Sequence, residues 1–216
     1  MKLDFSDGFE KNSECKDRVK EILFNTLERC KELQQTKDPL LVDFDWTEKD
    51  FTLKESDGVH GRTISSEKIE IEINTEVEGW QDRLRNQFSH EYAHKYFFEV
   101  TGFKYESDIE NWRHILLEAH GEHFSQKAYP EINAYWRTHI PKKKISKKWA
   151  EIKPLMNQNI FSEKIVGSRD YPLFFGYSMA YYIGEELLKK HGLKEFPKLG
   201  EKQIVEAGNK LFAEEN

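Results

Sequence analysis

Cysteine is nearly absent: the 216 residues contain two, Cys15 and Cys30. Both fall on what reads as one amphipathic helix, which would hold them about 22 Å apart, far beyond disulfide reach. A disulfide framework and a cysteine zinc knuckle are therefore excluded, and reduced thiols point to the cytoplasm. Long apolar runs are missing too. No stretch reaches the roughly 20 apolar residues of a membrane span. The N-terminal MKLDFSDGFE has neither the basic nor the apolar region of a secretory signal, so neither a membrane location nor ordinary export is expected. Positive charge is not in surplus. The net charge of −6 argues against nucleic acid as a partner. The basic cluster KKKISKK, Lys142 to Lys148, follows Pro141 and reads as a solvated connector at the start of a helix. Repeats, low-complexity segments and evident linkers are lacking, so residues 1–216 are read as one domain.

What is present describes a globular chain: 38% hydrophobic, 33% charged and 13% aromatic. Val19, Ile22, Leu23, Leu27 and Cys30 recur at helical spacing and predict an amphipathic helix from Asn12 to Thr36 that stops at Asp38-Pro39. Leu40 to Trp46 alternates and predicts a strand. Phe51 to Lys54 reads as a second strand, and Asp57-Gly58 as the turn before a third over Val59 to Ile64. KIEIEIN, Lys68 to Asn74, is the cleanest period-2 pattern, with Ile69, Ile71 and Ile73 inward and glutamates outward. Its charged alternation suits an edge strand, either protected from aggregation or offering its backbone to an extended peptide. Gly102 is the expected C-cap of the next helix, and Ser107 or Asp108 the expected N-cap of the one after it, Asp108 to Tyr129. Helices follow at Glu131 to Thr138, Ser146 to Asn157, Tyr171 to His191 and Lys202 to Phe212. The order is α+β: a small mixed or antiparallel sheet with an edge strand, then a central helix and a mainly helical C-terminal half.

That central helix, Trp80 to Gly102, carries His90, Glu91 and His94 in the order HExxH. Residues four apart leave the same helix face one turn apart, so the two imidazoles can grip one Zn²⁺. Glu91 then stands where a carboxylate can take a proton from water at the metal's open position. A chance match is the plainer alternative. Against it, Leu84, Phe88 and Tyr92 form a row on one side and Trp80, Phe97 and Phe98 lie nearer the other, so the helix is expected to be buried. A buried His–Glu–His cluster is costly unless something satisfies it.

A catalytic zinc site needs a further protein ligand. The pattern HExxHxxGxxH is absent, because Phe97 and Val100 occupy its glycine and third-histidine positions. The segment HILLEAHGEHF, His114 to Phe124, offers a carboxylate instead. At 100° per residue, His114, Glu118 and Glu122 share one stripe, while His120 and His123 fall on the other side. Glu118 is the candidate third ligand, and Glu122 the candidate acceptor for the far nitrogen of a zinc-bound histidine. An ordinary helix-surface role for Glu118, and core or surface roles for His120 and His123, stay open.

HEYAH, EAHGEHF and GYSMAYYIGEELLKK resemble the blocks of a bacterial family of predicted zinc-dependent proteases, whose members carry a HEYHH-like helix, an EGLAEHF-like segment and a late GYxxGY block. The resemblance runs from Gly61 to His191. It departs at Ala119 and Ala180, where the family has glycine. It implies a zincin-like, gluzincin-type fold, with His90, His94 and Glu118 as zinc ligands and Glu91 as base. Within the late block, Tyr177 and Tyr181 are four apart on one face with Gly184 alongside. Either hydroxyl is a candidate donor to an oxyanion, or both are packing tyrosines. The expected function is hydrolysis of a peptide or protein substrate. A zincin-like module that binds metal or peptide without cleaving is the alternative. Substrate specificity and oligomeric state leave no mark on the sequence.

Overall fold

The computed structural model describes residues 1–9, 13–37, 39–103, 109–159 and 171–213. These group into two compact units. The first is Met1–Lys104 with Phe124–Ile132, and the second is Tyr105–His123 with Asn133–Asn216.

The first unit is a mixed sheet with helices. Its strands are β1 (Lys2–Phe5), β2 (Leu41–Trp46), β3 (Val59–Ser65) and β4 (Lys68–Ile73), in the order β1-β2-β4-β3. Helix α1 (Ser13–Leu33) connects β1 to its parallel neighbour β2. β2 pairs parallel with β4, and β3 pairs antiparallel with β4. KIEIEIN is therefore an interior strand, which corrects the edge-strand expectation. Its hydrogen-bonding groups are taken on both sides, so no peptide can add to it; among the described residues the edges are β1 and β3. The alternation was real, but it reports one wet face and says nothing about neighbours in the sheet plane. Ile69, Ile71 and Ile73 are buried to within 1%, beside Val42 and Phe44 of β2 and Val19, Ile22, Leu23 and Leu27 of α1. Each such side chain contributes about 1.5–3 kcal/mol.

Two further expectations change here. β1 was not foreseen, being a four-residue strand with only Leu3 and Phe5 to mark it. Phe51 to Lys54 is not a strand but part of a π-helical turn, Phe51–Glu55. The Ser56 amide donates to the Phe51 carbonyl at 3.1 Å, and Lys54 pairs with Asp50 at 3.0 Å, so local bonds win over pairing in the sheet. Asp57 and Gly58 do form the turn before β3, both at positive φ.

Helix α2 (Trp80–Thr101) follows β4 and ends at Gly102, whose φ of 76° and bond to the Phe98 carbonyl make it the C-cap expected. As its two-sided apolar pattern requires, α2 is buried nearly throughout from Trp80 to Phe98. Trp80, Leu84, Phe88, Tyr92 and Ala93 join the same core as the β4 isoleucines.

The second unit is helical. α3 (Asn111–Ala128) contributes its residues up to His123 to this unit, and from Phe124 on it belongs to the first. Its expected N-cap, Ser107 or Asp108, lies outside the described residues, as do Asn12 and Asp38 at the limits expected for α1. α4 (Lys142–Ile152) starts directly after Pro141, so the KKKISKK lysines lie inside a helix whose buried face is Ile145, Trp149 and Ile152. Of the helix expected over Glu131 to Thr138, a 3₁₀ turn forms, Tyr135–Arg137. α5 (Phe175–Leu188) and α6 (Glu201–Phe212) also belong to this unit. Gly208 lets α6 meet α4, since a Cβ there would lie 2.2 Å from the Trp149 ring. No helix is long and apolar enough to cross a membrane among the described residues.

Candidate metal centre

His90, Glu91 and His94 sit in the middle of α2, where helical spacing puts both imidazoles on one face. Their rings lie 4.4 Å apart, centroid to centroid. One ligand atom from each of His90, Glu91 and His94 falls within 4.8 Å of the others, and all three residues are buried. Two donors on one zinc ion stand roughly 3.3 Å apart, given bonds of about 2.0–2.1 Å, a spacing of the same order as that of this cluster. Two imidazoles and a carboxylate are a donor set that suits zinc.

Glu91 is held from two further directions. Gln87, one turn earlier on α2, donates its Nε2 hydrogen to Oε1 at 2.7 Å. Thr63, on β3, brings its hydroxyl to 2.8 Å from Oε2 and 2.9 Å from the Glu91 carbonyl. Nδ1 of His94 lies 3.4 Å from Oε2. Burial alone would push the Glu91 carboxyl up. The bond and charge of His94, the nearby His90 and the Thr63 hydroxyl outweigh it and hold the group well below the usual carboxylate range.

Gly61 makes this possible. A Cβ at that position would stand 2.8 Å from Gln87 Cγ and 2.9 Å from Glu91 Cγ, so a bare backbone is what lets β3 lie against α2 here. Gln87 was not singled out from the sequence, although its signal was there, because a polar residue four before Glu91 shares its face. Thr63 was not, since it lies 28 residues away on another element.

The remaining site residues expected from the sequence lie in the second unit. Glu118 is buried on α3. Tyr177 is half-buried and packs on Phe174, with ring centroids 6.2 Å apart. Tyr181 is half-buried and stacks on the His123 ring at 4.7 Å and 15°. Gly184 makes room for that stack, as a Cβ there would meet His123 Cδ2 at 2.4 Å. His120 and His123 are core residues, His120 lying 6.1 Å from the Phe196 ring. Glu122 accepts from Trp136 Nε1 at 2.7 Å and Arg137 Nε at 2.8 Å.

Over residues 19–206 the chain matches a protein family described as "Predicted Zn-dependent protease (DUF2268)". The chain belongs to this family. The match takes in all of β2 to α5, and hence each residue of the α2 cluster and its Gln87, Thr63 and Gly61 surround. No curated protein and no solved structure matches the chain. The family's description names zinc, and the His90–Glu91–His94 cluster is a group that could hold a metal ion.

Proposed function

We propose that this member of the family is a zinc-dependent peptidase of the gluzincin type. The observation that carries the reading is the buried cluster of His90, Glu91 and His94, with the Glu91 carboxylate oriented by neighbours instead of lying free. His90 and His94 hold the metal. Glu118 is proposed as the third ligand, on its place in the EAHGEHF segment. Zinc, when bound, polarises a carbonyl and lowers the pKa of a water. Glu91 takes a proton from the attacking water at a carboxylate oxygen and returns it to the departing amine. Tyr177 or Tyr181 donates its hydroxyl hydrogen to the oxyanion.

The substrate is a peptide or protein. Among the described residues no strand pairs with the outer edge of β3, the strand that bears Thr63. Backbone pairing there supports a substrate in extended form. Two cysteines, both on α1, support a reducing, cytoplasmic setting. The 216 residues act as one peptidase domain on this reading.

Zinc content and peptidase activity of the purified protein test the proposal. His94→Ala is expected to lose zinc, and Glu91→Gln to keep zinc and lose turnover. Undiminished cleavage by Glu91→Gln would overturn the mechanism. A zinc-loaded protein inert against a broad peptide library would favour a binding module instead.

A further inference from the structure

The Glu91 carboxylate lies close enough to His90 and His94 to become a ligand to the same ion, since one atom from each falls within 4.8 Å of the others. A glutamate that ligates the ion shares its negative charge with the metal and is a weaker base for it, so something has to settle which role Glu91 takes. Its nearest hydrogen-bond donors are Gln87, at 2.7 Å from Oε1, and Thr63, at 2.8 Å from Oε2. Oε1 faces a donor from α2, and Oε2 faces one from β3 whose single hydroxyl hydrogen is shared with the Glu91 carbonyl at 2.9 Å. Both donors are buried, Gln87 to 9% and Thr63 to 3% exposure, so water does not compete with them freely. To swing onto a metal, the carboxylate would have to give up charge-assisted hydrogen bonds in a place where water cannot readily replace them.

We infer that Gln87 and Thr63 are positioning residues that hold Glu91 beside the metal as an outer base and keep it from becoming a ligand. The inference rests on the zinc reading of α2 given above. Gly61 belongs to the same device, because the close approach of β3 that delivers the Thr63 hydroxyl is the approach a side chain at position 61 would block. The backbone of β3 supplies the frame, and α2 supplies both the base and its second tether. A purely structural role, satisfying a buried carboxylate, calls for donors but makes no statement about the coordination of the ion.

Cobalt(II), the probe ion, separates the two, because its visible absorption weakens when its coordination number rises. The protein loaded with Co²⁺ is compared with Thr63→Val/Gln87→Leu, each variant checked for folding by circular dichroism. In the double variant the band is expected to lose intensity and Co²⁺ to bind about tenfold more tightly, for a gain of about 1.4 kcal/mol. Adding Glu91→Gln is expected to remove both changes, and Thr63→Ser to keep the wild-type band. If the double variant does not fold, Thr63→Val alone carries the comparison with Thr63→Ser. A variant band and affinity superimposable on wild type, or changes that survive Glu91→Gln, overturn the inference and leave the zinc reading standing. Failure of the wild-type protein to bind Co²⁺ in a manner lost in His94→Ala overturns both.

Discussion

The hydroxyl of Tyr92, at the first unspecified position of HExxH, donates to the Gln34 carbonyl at 2.9 Å. The same oxygen receives the Thr36 amide at 3.2 Å and the Thr36 hydroxyl at 3.0 Å. Tyr92 lies about 200° around the helix from His90, so this bond ties down the side of α2 turned away from the candidate metal centre. Lys95 and Glu99 extend the tie. Lys95 donates to the Lys37 carbonyl at 2.7 Å and pairs with Glu99, which accepts from the Lys37 amide at 2.9 Å. Tyr92→Phe is expected to lower stability by about 1–3 kcal/mol, because backbone groups of the segment after α1 lose their partner. Denaturant unfolding measures it, and unchanged stability would show the tie to be dispensable.

Gly61→Ala forces a methyl group to within 3 Å of Gln87 and Glu91 side chains that are themselves buried. Overpacking of this kind costs about 1–3 kcal/mol. The expected outcome is a lower urea midpoint and, on the peptidase reading, a lower kcat with little change in KM. Gly192→Ala is the control, since a Cβ there meets nothing within 4 Å.

Ile71 is 1% exposed at the centre of β4 and pairs with Phe44 on one side and Gly61 on the other. Ile71→Ala should cost about 2–5 kcal/mol. Amide hydrogen exchange along β4 should be as slow as the slowest in this unit, because β4 is the interior strand. Fast exchange at alternate β4 amides would mean that one of its neighbours in the sheet is wrong.

His123 Nε2 lies 2.9 Å from the Tyr181 carbonyl, which can only accept, so this nitrogen carries the hydrogen. Burial pushes the imidazole below its ordinary value, against the opposing pull of that bond and of Glu122 and Glu185. Burial shifts His60 the same way, against Glu91 and Glu72. With both folded values below the unfolded one, the unfolded chain takes up protons first as pH falls. Stability is therefore expected to be flat above roughly pH 6.5 and to fall below it, levelling once the folded groups protonate. Unfolding curves at pH 7.5, 6.5 and 5.5 for wild type and His123→Gln check this, the variant being expected to show the shallower loss. An equal loss in both would remove His123 from the account.

Much of the first unit was legible. The helical spacing of Val19 to Cys30 marked α1, Asp57-Gly58 marked the turn before β3, and the two-sided apolar pattern of α2 marked a buried helix. Local signals failed where two elements compete for the same residues. Phe51 to Lys54 has strand-like spacing, but its own i,i+5 hydrogen bond and the Asp50–Lys54 pair closed a turn first. KKKISKK looked like a connector, yet Ile145 and Trp149 gave it a face to bury, and the helix began at once after Pro141.

By itself the sequence determined that His90, Glu91 and His94 share one stretch of helix, because 3.6 residues per turn leaves no other arrangement for HExxH once that segment is helical. It determined equally that Ile69, Ile71 and Ile73 face one way. Only the tertiary structure decided that β4 lies between β2 and β3, and that Thr63 reaches Glu91 from a strand 28 residues earlier. The physical reason is range. Periodicity is set by bonds within an element and can be read along the chain. Pairing in the sheet plane, and the donor that meets a buried carboxylate, are set by which distant segments find room beside each other, here by the missing side chain of Gly61.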